Sequence, residues 1–401
     1  MWEQIRSNQI RSAVLVAGMG VLLLFVGYFL GIYFFDSFIG GLIIALIVWA
    51  VMSLVAFFQG DNILLALAQA RKISHDDHPR LYNIVEEMKI ASGLEKVPDI
   101  YIIDDPALNA FATGRNPDRA AVAITSGLLQ KLNRDELQGV IGHEIAHVKN
   151  RDVLLMAMSS VLLGTIVILA WYATRLLFFG GMARSRRSSS SAGGAAQLII
   201  LAVAIILMIL APIMAQLIYF AISRKREYVA DASSALYTRF PEGLASALEK
   251  IAASTSQLQS ANQATAPMYI INPFRKEGRP ASDLTSTHPP LSERIRILRS
   301  MAGASFADYE QVYRQLHRTG RGIIPASAIT IGRATSLRPA EVEAAPREPD
   351  KTEQVRETSD LMWRLGNYKT IACDCGTKLR VPPKFKELTV RCPHCGRINP
   401  V

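Results

Sequence analysis

Cysteine is nearly absent from this chain. The first 372 residues contain none, and all four cysteines fall between Cys373 and Cys395, so no disulfide framework holds the body of the protein. Histidine is scarce too, at seven in 401 residues, so two at ligand spacing carry weight. Only 19% of the residues are charged against 50% hydrophobic, and the mean hydropathy is +0.20. That balance excludes an ordinary soluble protein. No basic stretch is interleaved with aromatics, which argues against single-strand nucleic-acid binding despite the formal net charge of +10. The positive excess fits cytoplasmic loops and an anionic lipid surface instead.

What is abundant is apolar sequence in four runs, at about Ala13 to Phe35, Ile39 to Phe58, Val153 to Phe179 and Gln197 to Ile222. Each reaches the roughly 20 residues that cross a hydrocarbon core. The first is too long for a signal-peptide core and lacks a small-residue cleavage site, so it reads as a signal anchor. Basic clusters at Arg6 and Arg11, Arg71 and Lys72, Lys149 and Arg151, and Arg224 to Arg226 flank the runs. If all four runs span, those clusters share one side, which the positive-inside bias makes the cytoplasm. Arg184, Arg186 and Arg187 disagree, since four spans place them outside.

Between the hairpins, "HPRLYNIVEEMKIASGL" (His78 to Leu94) has helical periodicity. "DIYIID", "NAFATG" and "AAVAIT" predict a small meander sheet. Asn133 and Glu136 have capping-box spacing, opening a helix that runs through "HEIAH" and on toward lipid. Asp152 could support a site on that helix, but it reads first as the helix's exit toward the membrane. Residues 336–360 are charged, Pro-containing and without an apolar period, which predicts a disordered linker. The expected fold is a mostly α membrane protein of four apolar helices, with a largely helical domain that holds a small β-meander, and a small compact C-terminal tail. Its domains are 1–60, 61–302 interrupted by a membrane hairpin at about 153–222, a partly disordered linker at 303–370, and 371–401.

His143 and His147 are four apart on a helix, so both rings project from one face and can share a tetrahedral zinc ion. Glu144 lies beside them as a general base. H-E-x-x-H arises by chance, so it needs company. "REYVADASSALY" (Arg226 to Tyr237) supplies Glu227 as a third ligand, with Asp231 four residues on to hold a ligand ring by a hydrogen bond. An even number of membrane crossings between His147 and Glu227 returns both to one side. His75, His78 and His317 have no partners at ligand spacing and read as surface residues.

HEIAH, E-Y-V-A-D, "NAFATG" and "STHPPLSERI" (Ser286 to Ile295), arranged around a membrane hairpin, resemble the HtpX-like membrane zinc metallopeptidases. Those are relatives of the CaaX prenyl-protein endopeptidases in the gluzincin group. The resemblance covers roughly Met1 to Ser300, and it makes the expected helical domain a zincin-type peptidase domain. It implies an endopeptidase of the inner or plasma membrane that cleaves misfolded or damaged membrane proteins on the cytoplasmic side. It also implies zinc ligands His143, His147 and Glu227, the base Glu144, and Asn109 on a substrate-pairing edge strand. His288 resembles the histidine that helps stabilise the tetrahedral intermediate. The bland readings are a turn for Asn109, and for His288 a helix cap whose Glu293 and Arg294 pair locally. The competing functions are a catalytically silent membrane adaptor and a CaaX-type processing protease.

The tail has C-x-C, a spacer and C-x-x-C, each pair followed by glycine. Cys373, Cys375, Cys392 and Cys395 resemble a closed structural zinc site. Thirty residues build too little core to fold without such a staple, so one catalytic and one structural zinc are expected. What this small C-terminal zinc ribbon binds stays open among a captured substrate, a protein partner and nucleic acid, the last supported only by scattered lysines and arginines.

Overall fold

The computed structural model describes residues 2–35, 37–161, 224–259, 266–271, 288–319, 322–331, 336–338 and 349–401, with the single positions 175, 202 and 206. The first two apolar runs form helices α1 (Trp2–Phe35) and α2 (Phe38–Leu67), about 50 and 45 Å long at 1.5 Å per residue. Both are long and apolar enough to cross a membrane. At the turn, Ser37 accepts the Gly40 N–H at 3.4 Å. The two backbones touch at Gly41, where a Cβ would meet Gly27 O at 2.0 Å and Gly31 Cα at 2.5 Å. Such small-residue contacts hold helices together where lipid removes the hydrophobic drive. Val14, Val21 and Ile47 face outward, more than half exposed, a surface suited to lipid.

The third and fourth apolar runs lie outside the described residues apart from the start of the third and the single positions 175, 202 and 206. That start is helix α6 (Asp152–Val161), whose Leu155 packs with Leu15, Met19 and Leu23 of α1. The HEIAH helix does not run on into it. Helix α5 (Arg134–Lys149) stops at Asn150, Arg151 takes a left-handed φ of 56°, and α6 begins anew. The break folds Asp152 back toward the preceding turn.

Strands β1 (Arg71–Lys72), β2 (Asp99–Ile103), β3 (Ala110–Gly114) and β4 (Ala120–Thr125) make one sheet in the order β1-β2-β4-β3. The three runs read from the sequence all pair, but not in simple succession. β4 lies parallel to β2 and antiparallel to β3. All six β4 residues are buried, which suits a central strand, and this leaves β3 at an edge. Helix α3 (Pro79–Ser92) ends at Gly93 with φ 71°. His78 is not a surface residue: it is buried, and its Nδ1 caps α3 by accepting the Leu81 N–H at 3.2 Å.

Helix α4 (Ser126–Lys131) follows β4, and helices α7 (Arg224–Thr238), α8 (Pro241–Ala253), α9 (Leu291–Arg299), α10 (Phe306–His317) and α11 (Ala326–Ile331) complete the body. One apolar core runs from Leu64 to Leu361. The disorder expected of residues 336–360 does not hold at their C-terminal end. Residues 339–348 lie outside the described ones, but Lys351–Leu365 forms helix α12 with a capping box between Asp350 and Glu353. It buries Gln354, Thr358 and Leu361. Beyond it, β5 (Lys369–Ala372) pairs with β6 (Lys378–Val381), and β7 (Thr389–Arg391) with β8 (Ile398–Pro400).

Candidate metal centre

Helix α5 starts where its sequence says it should. Asn133 Oδ1 accepts the Glu136 N–H at 2.8 Å, and Glu136 returns the bond at 2.9 Å. Every residue from Glu136 to Val148 is buried, so both histidines work away from bulk water. Their Nε2 atoms are 3.2 Å apart. Glu227, in the first turn of α7, places Oε2 at 3.7 Å from His143 Nε2 and Oε1 at 3.6 Å from His147 Nε2. Ligand atoms of His143, His147 and Glu227 all lie within 4.8 Å of one another.

The far nitrogen of each ring is tied down by a carboxylate. Asp231 Oδ1 lies 3.0 Å from His143 Nδ1, and Asp152 Oδ2 lies 2.9 Å from His147 Nδ1. These bonds fix the tautomer and aim both Nε2 atoms at one point. Sequence reading set Asp152 aside as a helix exit; its fifth-residue spacing from His147 gains meaning only from the break at Arg151. Arg294 was missed altogether. Fully buried, it grips Asp231 with Nε–Oδ2 at 2.8 Å and Nη2–Oδ1 at 2.6 Å, and its Nη1 is 3.6 Å from Glu227 Oε2. It does not pair locally with Glu293, which meets the Tyr228 hydroxyl and His317 Nε2 instead. So His317 is partnered too, while His75 is exposed beside Asp76.

Glu144 is buried, and its Oε1 has no hydrogen-bond partner among the described residues. Burial raises its carboxyl above the usual range, against the pull of both histidines. Burial also opposes the charge on Glu227, yet His288, His143, His147 and Arg294 overcome it and hold that carboxyl well below the ordinary value. For His143, burial disfavours the cation, but Asp231 and Glu227 win and push the ring up to about 9. His288 is buried with Nε2 at 3.8 Å from Glu227 Oε2, and burial holds its ring down at about 4 despite Glu227.

Asn109 leads into edge strand β3. Its amide nitrogen donates to Ile271 O at 3.2 Å, and the Ile270 N–H reaches Ala110 O at 3.0 Å. One end of the edge is therefore covered by the chain's own backbone.

The profile of peptidase family M48 matches residues 75–302. The chain belongs to peptidase family M48. It is similar to the protease HtpX homolog of Dictyoglomus turgidum, with 44% identity over 307 residues, 75% of this chain and 94% of that protein. The protease HtpX homolog of Streptococcus mutans is 42% identical over 298 residues, 74% of this chain and 99% of the relative. The crystal structure of S. mikatae Ste24p gives a TM-score of 0.39 at 18% identity, covering 74% of this chain and 67% of that one, a level too low to bear on the fold.

This M48 enzyme is a membrane zinc metalloprotease, and its donors fit the metal. Zinc bonds of about 2.0–2.1 Å in a tetrahedron put ligand atoms about 3.3 Å apart, close to the 3.2–3.7 Å observed. Two imidazoles and one carboxylate are a catalytic donor set, leaving a fourth place open. Glu227 Oε2, buried and without a hydrogen bond despite its three basic neighbours at 3.6–3.8 Å, is an atom that a metal ion would satisfy.

A second donor cluster sits in the tail of the M48 chain. Cys373 Sγ is 3.5 Å from Cys395 Sγ, and Cys375 Sγ is 3.7 Å from Cys392 Sγ. All four thiols are free. A tetrahedral zinc–thiolate site with bonds of about 2.3 Å separates its sulfurs by about 3.8 Å, whereas a disulfide needs about 2.05 Å.

Proposed function

We propose that this M48 peptidase is a multi-pass enzyme of the inner or plasma membrane that cleaves misfolded or damaged membrane proteins on the cytoplasmic side. The observation that carries this reading is the meeting of His143, His147 and Glu227 donor atoms within 4.8 Å, next to a buried and partly unpartnered Glu144. The site follows α2, beside lipid-facing helices, and with four spans the basic clusters at Arg6 and Arg11, Arg71 and Lys72, Lys149 and Arg151, and Arg224 to Arg226 fall on its side, Arg184, Arg186 and Arg187 being the exception. Residues 1–60 act as the membrane hairpin and 61–302 as the peptidase.

His143, His147 and Glu227 would hold zinc, which polarises the scissile carbonyl and acidifies water when bound. Glu144, with its raised pKa, accepts the proton of the attacking water and returns it to the leaving amine. Neutral His288 donates an N–H to the developing oxyanion. Asp231 and Asp152 hold the two rings, and Arg294 holds Asp231. An extended substrate adds to the open part of β3, where loose sequence preference follows from main-chain pairing. Asn109 orients it once Ile270 and Ile271 yield the strand's first residues. Cys373, Cys375, Cys392 and Cys395 hold a second, structural zinc, and the ribbon so formed recruits a protein partner rather than nucleic acid.

The test is cleavage of an unfolded membrane protein by the purified full-length enzyme, with and without a zinc chelator and beside Glu144→Gln. The chelator should abolish cleavage, and Glu144→Gln should lower it by roughly 10²–10⁴-fold while keeping its metal. Chelator-resistant cleavage, or a fully active mutant, would sink the mechanism.

A further inference from the structure

The first membrane helix reaches the metal centre. Asn8 lies in the second turn of α1, ahead of its most apolar stretch, and is 3% exposed. Its Nδ2 donates to Asp152 Oδ1 at 2.5 Å and to Asn150 O at 3.3 Å. Ser12, one turn on, bonds back to Asn8 O at 3.0 Å. The other oxygen of Asp152 is the one on His147 Nδ1, at 2.9 Å. An unbroken chain thus runs from α1 through Asp152 to the ring whose Nε2 faces Glu227.

We infer that Asn8 is a positioning residue for the zinc site, acting through Asp152 on His147. A buried amide in an apolar helix costs stability unless it is bonded, and here its bonds go to one carboxylate and to the backbone at the α5–α6 break. Among the described residues, Arg226 competes for Asp152, with its Nη1 3.8 Å from the same Oδ1. With Asn8 in place, Oδ1 is held and Oδ2 stays on the imidazole. Without it, the carboxylate swings toward Arg226 and its hold on His147 slackens. The ring can then tilt, and zinc is held less firmly. In this way α1 serves the site as well as anchoring the chain.

That role presupposes His147 as a ligand, so the experiment includes a control for it. Zinc transfer from the full-length protein in detergent to a chromogenic chelator is timed, and the phase altered by His147→Ala belongs to this centre. Asn8→Leu, similar in volume and without the donor, should speed that phase about 3–10-fold, below the 10–100-fold typical of groups bonded directly to a ligand. It should lower kcat by a similar factor with KM unchanged. In an Asp152→Ala background, Asn8→Leu should add nothing further, because the two act in series. Should Asn8→Leu fail to assemble, the smaller Asn8→Ala, which also lacks the donor, gives the same comparison. Zinc release at the wild-type rate in the Asn8 variant, or full additivity with Asp152→Ala, overturns the role of Asn8. Zinc release indifferent to His147→Ala overturns the metal centre itself.

Discussion

At the scale of single residues, the centre depends on groups that never touch the metal. Arg294 is the clearest: fully buried, it neutralises Asp231 and leans on Glu227. Arg294→Met leaves a buried carboxylate uncompensated and should cost about 3–5 kcal/mol. Thermal unfolding of the solubilised enzyme measures it. Adding Asp231→Asn to that variant should recover part of the loss, because removing both charges costs less than stranding one. His78 offers a pH test. Burial lowers its folded pKa to about 4, while the unfolded chain binds the proton near 6.5. Between those values the unfolded state holds more protons, so this contribution is complete above about pH 6.5 and fades as pH falls toward 4. The loss amounts to at most about 3 kcal/mol. His78→Asn keeps a capping oxygen but does not titrate. Its melting temperature should fall less than wild type's between pH 7.5 and 4.5, and parallel falls would refute the effect.

At the scale of elements, what is local was legible and what is long-range was not. Helix α5 and its cap follow from Asn133 and Glu136, and the ligand pair from four-residue spacing. Glu227 and Asp231 repeat that spacing on α7, so the donor set could be assembled from two short motifs. Sheet order could not, because the parallel β2–β4 pairing joins segments about twenty residues apart and depends on which strand is buried on both faces. Arg294 escaped because its nearest acidic neighbour in sequence is Glu293, while its partner Asp231 lies 63 residues away. The cysteine hairpins were legible from spacing alone, and they make a countable prediction. The purified chain should carry two zinc ions, and Cys392→Ser should carry one. Peptide cleavage should persist in that variant, since the cysteines lie around the β5–β6 and β7–β8 hairpins and the peptidase donors on α5 and α7. One zinc in the unmodified chain would remove the ribbon from the account.

At the scale of the whole molecule, the question is what joins a membrane hairpin, a peptidase and a cysteine ribbon. The joint is α12, and its sequence hides it. The buried stripe Gln354, Thr358, Leu361 keeps helical spacing, but two of its three members are polar, so no apolar period announces the element. Leu361 alone is fully buried in the common core. Two bonds secure the helix's end: Arg71 Nη1 to Leu365 O at 2.7 Å and Arg364 Nη2 to Asp77 O at 2.7 Å. Arg71 lies four residues past the end of α2, so the ribbon's tether and the membrane hairpin are fastened at neighbouring points of the chain. Arg380 of the ribbon stacks over Trp363 at 5.3 Å and pairs with Asp360, which passes that fastening on to the cysteine site. Leu361→Ala removes the helix's fully buried apolar anchor and leaves only the partly buried Met362 and Leu365 on the core, at about 2–5 kcal/mol, more than two exposed main-chain bonds can make good. Limited trypsin digestion should then cut at Arg364 and Lys369 much faster than in wild type. The peptidase should keep its own melting transition and its chelator-sensitive cleavage. Equal digestion rates would mean that the ribbon is held elsewhere; loss of the peptidase transition would make α12 part of the peptidase core instead of a tether.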